Sequence, residues 1–290
     1  MYPPAFEYSA PASLDEALAT LADKGDDARV LAGGQSLIPM MKLRLASPAY
    51  LVDINDIPDL DYIRASNGYI AIGALARHRD VVNSDVIAAN NHTMASAAPW
   101  IADPLVRNRG TLCGSVAHCD PEGDWNSVML AVNAEVVATS AGGERVIPID
   151  DFIVDFFTNS LEPGEIVTEV RVPKYTGPAG GAYLKLERKI GDYATAAVAT
   201  QLQLDGDGKI DKAGIALTAV NTRNTRASAA EAALVGNTPS DELFTEAADL
   251  AAQAADPETN VRGTAEWKRE IIRVYTRRGL DQALALAQGS

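Results

Sequence analysis

Residues 31–56 read LAGGQSLIPMMKLRLASPAYLVDIND. The apolar run Ala28 to Ala32 predicts a short buried strand, Gly33-Gly34 a tight turn, and Leu37 onward a short apolar helix reaching toward Leu45. Tyr50-Leu-Val-Asp-Ile54 then predicts a second strand. Upstream, Ser13 and Glu16 have capping-box spacing, and Leu14, Ala17, Leu18 and Leu21 share one helical face. Gly25 stops that helix after about Lys24. Together these segments form a small β-α-β unit with a glycine turn inside it.

Working outward, Tyr69 to Ile72 between two glycines predicts another strand. Segments 78–91 and 93–101 read as helices, with His78 and His92 as surface residues and Asp103-Pro104 as a break. Arg107 to Asp124 has no clean period and reads as a structured functional loop. Trp125 to Val132 reads as helix, 135–139 and 145–149 as a hairpin, and Glu165 to Val172 as a strand. Tyr175 to Gly181 is the best boundary. Beyond it come strands near 182–189, 194–204 and 210–220, then helices 226–235, 240–254 and 263–287. Strands followed by helices indicate an α+β terminal domain.

The 290 residues are 47% hydrophobic and 22% charged, so a folded chain with ample core is expected. Lys plus Arg number 25 against 39 Asp plus Glu, a net charge of −14 that argues against nucleic-acid binding. Two cysteines, Cys113 and Cys119, exclude a disulfide framework and are too few for a self-contained iron–sulfur cluster. No apolar run reaches the ~20 residues of a membrane span, and the first residues lack signal-peptide character. A cytoplasmic chain is expected.

Two stretches could carry chemistry. Ala32-Gly33-Gly34-Gln35-Ser36, between a strand and a helix, could turn its N–H groups toward an anion such as pyrophosphate. It is neither a Walker loop nor GxGxxG, and a plain tight turn is the alternative. Asn108 to Ser115, followed by Asp120 to Asp124, could serve phosphate oxygens and ribose hydroxyls; a long surface loop is the alternative. Two such loops suggest one shared dinucleotide. Cys113, His118 and Cys119 lack the paired spacing of a zinc site, and no G-x-S-x-G elbow supports a hydrolase. Lys185, Asp192 and Tyr193 carry no motif of their own.

The stretch at 31–56, VRNRGTLCGSVAHCDPEGDW, LEPGEIVTEVRVP and WKREIIRVYTRRGLDQAL closely resemble the FAD-binding medium subunit of molybdenum hydroxylases, nearest to the aerobic carbon monoxide dehydrogenase type. The likeness spans essentially the whole chain. It implies an α+β fold: FAD-binding subdomains at 1–53 and 54–177, then a three-stranded antiparallel sheet with a helical bundle at 178–290.

It also implies that Ala32, Gly33, Gly34, Gln35, Ser36 and Leu37 hold the pyrophosphate together with Thr111, Gly114 and Ser115. Gly34 would leave room for its close approach. Ile101 and Ala102 would lie beside the flavin, and Gly123 and Asp124 at the ribose. Leu161 would touch the adenine side, Lys185 the flavin pyrimidine, and Tyr193 the flavin face. Two departures stand out: Cys113 replaces a common glycine, and Gln35 stands where histidine is frequent. Cys113 fits only if its backbone avoids positive φ.

The implied partners are a large molybdenum-cofactor subunit and a small iron–sulfur subunit, in a dimer of heterotrimers. Electrons would pass from the clusters to FAD and on to an acceptor such as quinone. Peripheral attachment to the inner membrane face would run through those partners. Alternatives are a related hydroxylase for aldehydes, purines or N-heterocycles, and a non-redox binding or assembly protein of the same fold without flavin.

Overall fold

The computed structural model describes residues 2–289. The first unit contains β1 (Glu7–Ser9), α1 (Leu14–Lys24), β2 (Ala28–Leu31), α2 (Leu37–Lys42) and β3 (Tyr50–Asp53). Its strands form a parallel sheet ordered β1-β3-β2. The Ser13 hydroxyl accepts from the Glu16 N–H at 3.3 Å, and the Glu16 carboxylate accepts from the Ala12 N–H at 2.9 Å. Gly25 ends α1 at φ +54°. Ala17, Leu18 and Leu21 pack in one core with Val52 and Ile54. Strand β1 was not foreseen, because three mostly exposed residues leave no periodic signal.

The middle unit begins with β4 (Ile63–Ala65) and β5 (Tyr69–Gly73), followed by α3 (His78–Val82), α4 (Asp85–Asn90) and α5 (His92–Ala97). Then come α6 (Pro104–Arg107), α7 (Leu112–His118) and α8 (Asp124–Ala131). It closes with β6 (Glu135–Ser140), β7 (Gly143–Pro148), α9 (Ile149–Phe152), β8 (Ile153–Asp155), β9 (Thr158–Asn159) and β10 (Ile166–Pro173). Its main sheet is antiparallel throughout, ordered β4-β5-β10-β6-β7.

The two helices expected over 78–101 are three short ones and a 3₁₀ turn, because new caps interrupt them. The Ser84 hydroxyl accepts from the Ile87 N–H at 3.3 Å, and Asn91 Oδ1 accepts from the Met94 N–H at 2.9 Å. The segment expected as a loop from Arg107 to Asp124 contains α7. That helix buries Leu112, Cys113 and Val116 on one face.

The terminal unit comprises β11 (Ala179–Glu187), β12 (Ala194–Leu204), β13 (Ile210–Thr218), β14 (Thr225–Arg226), α10 (Ser228–Leu234), α11 (Asp241–Ala254) and α12 (Ala265–Ala287). The three long strands run antiparallel as expected; the two-residue β14 adds a fourth at the edge. All eleven residues of β12 are buried. One face of this sheet packs on α5 and α8, the other on α10 and α12.

The expected boundary at 175–181 runs into β11, so Gly180 and Gly181 lie in a strand, not a linker. A Cβ on Gly180 would stand 2.0 Å from the Ala283 carbonyl oxygen, and one on Gly181 1.9 Å from Thr93 Oγ1. Glycine here allows helices to approach the strand closely on both sides.

Candidate FAD site

The first glycine loop leaves β2 and enters α2; the second leaves α6 and enters α7. They touch. A Cβ on Gly33 would lie 2.3 Å from the Arg109 carbonyl oxygen and 2.6 Å from Gly110 Cα, so only glycine permits this approach. Gly34 has φ +73°, and its Cβ would instead meet Ile38 at 2.7 Å and Leu31 at 3.1 Å. Its glycine is required by backbone conformation and by packing under α2; Gly33, not Gly34, makes the close backbone approach.

Ala32, Ser36 and Leu37 are half-buried and Gln35 is exposed, its amide donating to the Gly33 carbonyl at 3.3 Å. In the first turn of α2 the Ile38 and Met40 N–H groups donate to the Gly34 and Ser36 carbonyls and Pro39 has none, so the N–H groups this loop can offer precede Ile38. In the second loop the Thr111 hydroxyl caps α7 by accepting from the Gly114 N–H at 3.1 Å, and the Ser115 N–H donates to the Thr111 carbonyl. Both helix N-termini favour negative charge.

Cys113 resolves one of the departures. It is helical, has no positive φ, and points into the core, where Sγ faces the Ile72 and Gly73 carbonyls at 3.4 Å. Burial raises its pKa. The residue is a packing choice beneath the loop and leaves the loop's outer face intact.

Beside the loops, Ile101 is buried and Ala102 takes φ +43°, a costly conformation for alanine. Arg107 Nη1 donates to the Ile101 and Ala102 carbonyls at 2.8 and 3.0 Å, and so holds that strip in place. The β11–β12 turn leans on it: a Cβ on Gly191 would meet Ala102 backbone atoms at 3.1 Å. Tyr193, 48% exposed, follows in this turn. Partial burial, then the Asp120 carboxylate, push its pKa up to about 12.

Asp124 and Lys185, expected as separate contacts to ribose and flavin pyrimidine, form one buried ion pair at 2.9 Å. The Tyr183 hydroxyl donates to the other Asp124 oxygen at 2.5 Å, and Lys185 Nζ also donates to the Trp100 carbonyl at 3.2 Å. Burial raises the Asp124 pKa against the opposing pull of Lys185. Both Asp124 oxygens already accept hydrogen bonds, and Gly123 caps α8 ahead of it. Leu161 is half-buried behind α7, next to Asn159, whose amide donates to the Ala117 carbonyl.

Several residues that matter here carried no motif. His78, expected at the surface, is buried: its Nδ1 accepts from Trp125 Nε1 at 3.1 Å, and its ring packs under Gly110. Arg77 and Asn55 link the two loops. Arg262 Nη1 donates to Glu122 at 3.1 Å and to the Ala194 carbonyl at 3.0 Å, joining the second loop's tail to β12. Only three-dimensional placement distinguishes them from ordinary polar residues. Among the described residues, no group of His, Cys, Asp or Glu is arranged to hold a metal ion, and no helix is long and apolar enough to cross a membrane.

Residues 4–175 match the family of FAD binding domains in molybdopterin dehydrogenase, and residues 181–283 match the CO dehydrogenase flavoprotein C-terminal domain. The 6-hydroxypseudooxynicotine dehydrogenase complex subunit alpha of Paenarthrobacter nicotinovorans is 41% identical, over 99% of this chain and 97% of that protein. The carbon monoxide dehydrogenase medium chain of Hydrogenophaga pseudoflava is 40% identical, over 98% and 99%. A solved carbon monoxide dehydrogenase from the same organism, lacking the Mo-pyranopterin moiety, superposes with a TM-score of 0.94 at 43% identity, covering 98% of this chain and 99% of the other.

Proposed function

The chain belongs to the FAD-binding medium subunits of carbon monoxide dehydrogenase and related molybdenum hydroxylases, and we propose that it is the electron-transfer subunit of a carbon monoxide dehydrogenase-like complex. The contact of Gly33 with the Arg109 backbone carries this reading, because it brings two anion-binding loops together where one pyrophosphate can engage both.

Ala32 to Leu37 and Thr111 to Ser115 hold the pyrophosphate through backbone N–H groups and hydroxyls. The strip Ile101–Ala102, fixed by Arg107, borders the flavin, and Tyr193 covers a face of it. Asp124 and Lys185 act as one polar unit toward one part of the ligand; Leu161 serves the adenine side. Bound FAD would supply the exchange between single electrons and electron pairs. With both cysteines buried and free, the electrons come from clusters on a small partner. The molybdenum cofactor and the substrate pocket belong to a large partner, the assembly is a dimer of heterotrimers, and the acceptor is a quinone. Relatives of 41% and 40% identity bear the names of different substrates, which accords with specificity residing on another polypeptide.

The test is flavin content and reduction. The purified chain, alone and with its partners, is expected to carry FAD in a one-to-one ratio, and the flavin band to bleach when substrate is added to the complex anaerobically. Gly33→Val should lose the flavin while remaining folded. Stoichiometric FAD in that variant would place the cofactor elsewhere; no flavin in the wild-type protein would favour the binding or assembly role.

A further inference from the structure

We propose that Arg77 is a positioning residue for FAD: with Asn55 it bridges the backbone carbonyls of Ala32 and Arg109 and so sets the spacing of the two pyrophosphate loops. Arg77 Nη1 donates to the Arg109 carbonyl at 2.6 Å, and Nη2 donates to Asn55 Oδ1 at 2.5 Å. The Asn55 amide in turn donates to the Ala32 carbonyl at 2.8 Å. One guanidinium therefore reaches both loops, directly on one side and through a single amide on the other.

Each member is itself held in place. Asn55 lies just past β3, where Asp53 Oδ1 accepts from its backbone N–H at 2.9 Å and from its amide at 2.5 Å. The Tyr8 hydroxyl donates to the other Asp53 oxygen at 2.8 Å. Arg77 caps α3, where its N–H donates to Asp80 at 3.1 Å, and its backbone bridges to Thr111 at the head of the second loop. The Arg109 carbonyl that Arg77 grips is the oxygen that a Cβ on Gly33 would strike. Glycine permits the approach and the guanidinium holds it. In a trans peptide the N–H of Gly33 points opposite to the Ala32 carbonyl. Pinning that carbonyl to Asn55 thus aims the N–H away from the clamp, toward the face the ligand must occupy.

The proposal rests on the FAD reading and deepens it. Lysine at position 77 keeps the charge but, lacking the planar fork, cannot serve Arg109 and Asn55 at once. Arg77→Lys and Asn55→Ala, in the full-length chain stripped of flavin, are each expected to weaken FAD binding about tenfold or more. The double variant should be little worse than the weaker single, because both cut one linkage. The flavin-free melting temperature should fall far less than the affinity. Should Arg77→Lys fail to fold, Asn55→Ala provides the same comparison alone.

Wild-type affinity in Arg77→Lys would make Arg77 a simple charge and overturn the clamp. So would strict additivity, or a loss of affinity fully matched by loss of flavin-free stability. If the wild-type chain binds no FAD, the clamp falls with its parent reading; if it binds and the variants bind equally, the clamp alone falls.

Discussion

His78 sits beneath the second glycine loop with its imidazole out of water. Burial, then Arg107 and Arg77, hold its pKa down from 6.5 to about 4. Its Nδ1 accepts from Trp125, so the neutral ring carries its proton on Nε2. As pH falls below 6.5 the unfolded chain takes up a proton that the folded chain refuses. The stabilisation is therefore complete above about pH 6.5 and is lost progressively toward pH 4. The gap corresponds to roughly 3 kcal/mol. His78→Asn keeps an acceptor for Trp125 and removes the titration, so its stability should fall less steeply than wild type between those pH values. Denaturant melts across that range measure the difference, which cancels the carboxylates common to both proteins. Parallel curves would remove His78 as the source. Nothing in the local sequence announces this burial: Ala-Arg-His-Arg-Asp at 76–80 reads as a polar helix start, and the apolar neighbours come from α8 and the loop above.

Between elements, the Asp124–Lys185 pair ties α8 to β11. The Lys185 side chain is 1% exposed and that of Asp124 8%, so neither charge has water to fall back on. Breaking a buried pair by removing one partner costs about 3–5 kcal/mol. Lys185→Met should reach that range, since it leaves Asp124 and Glu187 facing each other without a cation. Asp124→Asn should cost less, because Glu187 still lies 3.6 Å from Lys185. Chemical denaturation of the flavin-free variants ranks them; the reverse order would mean that Glu187 does not share the ammonium. The sequence disclosed which residues were polar at this join but not that they would meet.

Element reading succeeded where a cap and a single buried face coincided, as in α1, and faltered where the buried face was disguised. In α7 a mid-helix glycine and a cysteine masked the buried face. In β12 burial on both sides removed the alternation of a half-exposed strand, yet its continuous run between turn signals still marked 194–204 as a strand. The first loop was legible because its glycine pair stands between a predicted strand and a predicted helix, and the second because its small residues and hydroxyls lack any clean period. Their partners Arg77 and Asn55 were not, since a clamp between distant backbone carbonyls has no local spacing.

Across the whole molecule, the two loops belong to different cores. The first hangs on the cluster around Val52 and Ile54, the second on the cluster around Met94, Leu112 and Trp125. A net charge of −14 offers no bulk attraction for a pyrophosphate, so on the proposed reading its affinity would come from local groups at this junction. On the proposed reading, FAD bound across both loops would stabilise the assembled pair of cores and not either alone. At a free concentration 100 times its dissociation constant, a ligand restricted to the folded state adds about 2.7 kcal/mol. Titrating FAD into the flavin-free chain should therefore raise the melting temperature with ligand concentration. Amide exchange should slow together at 32–37 and 111–115, while α11, remote from both loops, should gain only what global stabilisation confers. Gly33→Val should flatten the concentration dependence. Slower exchange at one loop alone would show that the loops do not share a ligand, and the contact at Gly33 would then be only a packing contact between two domains.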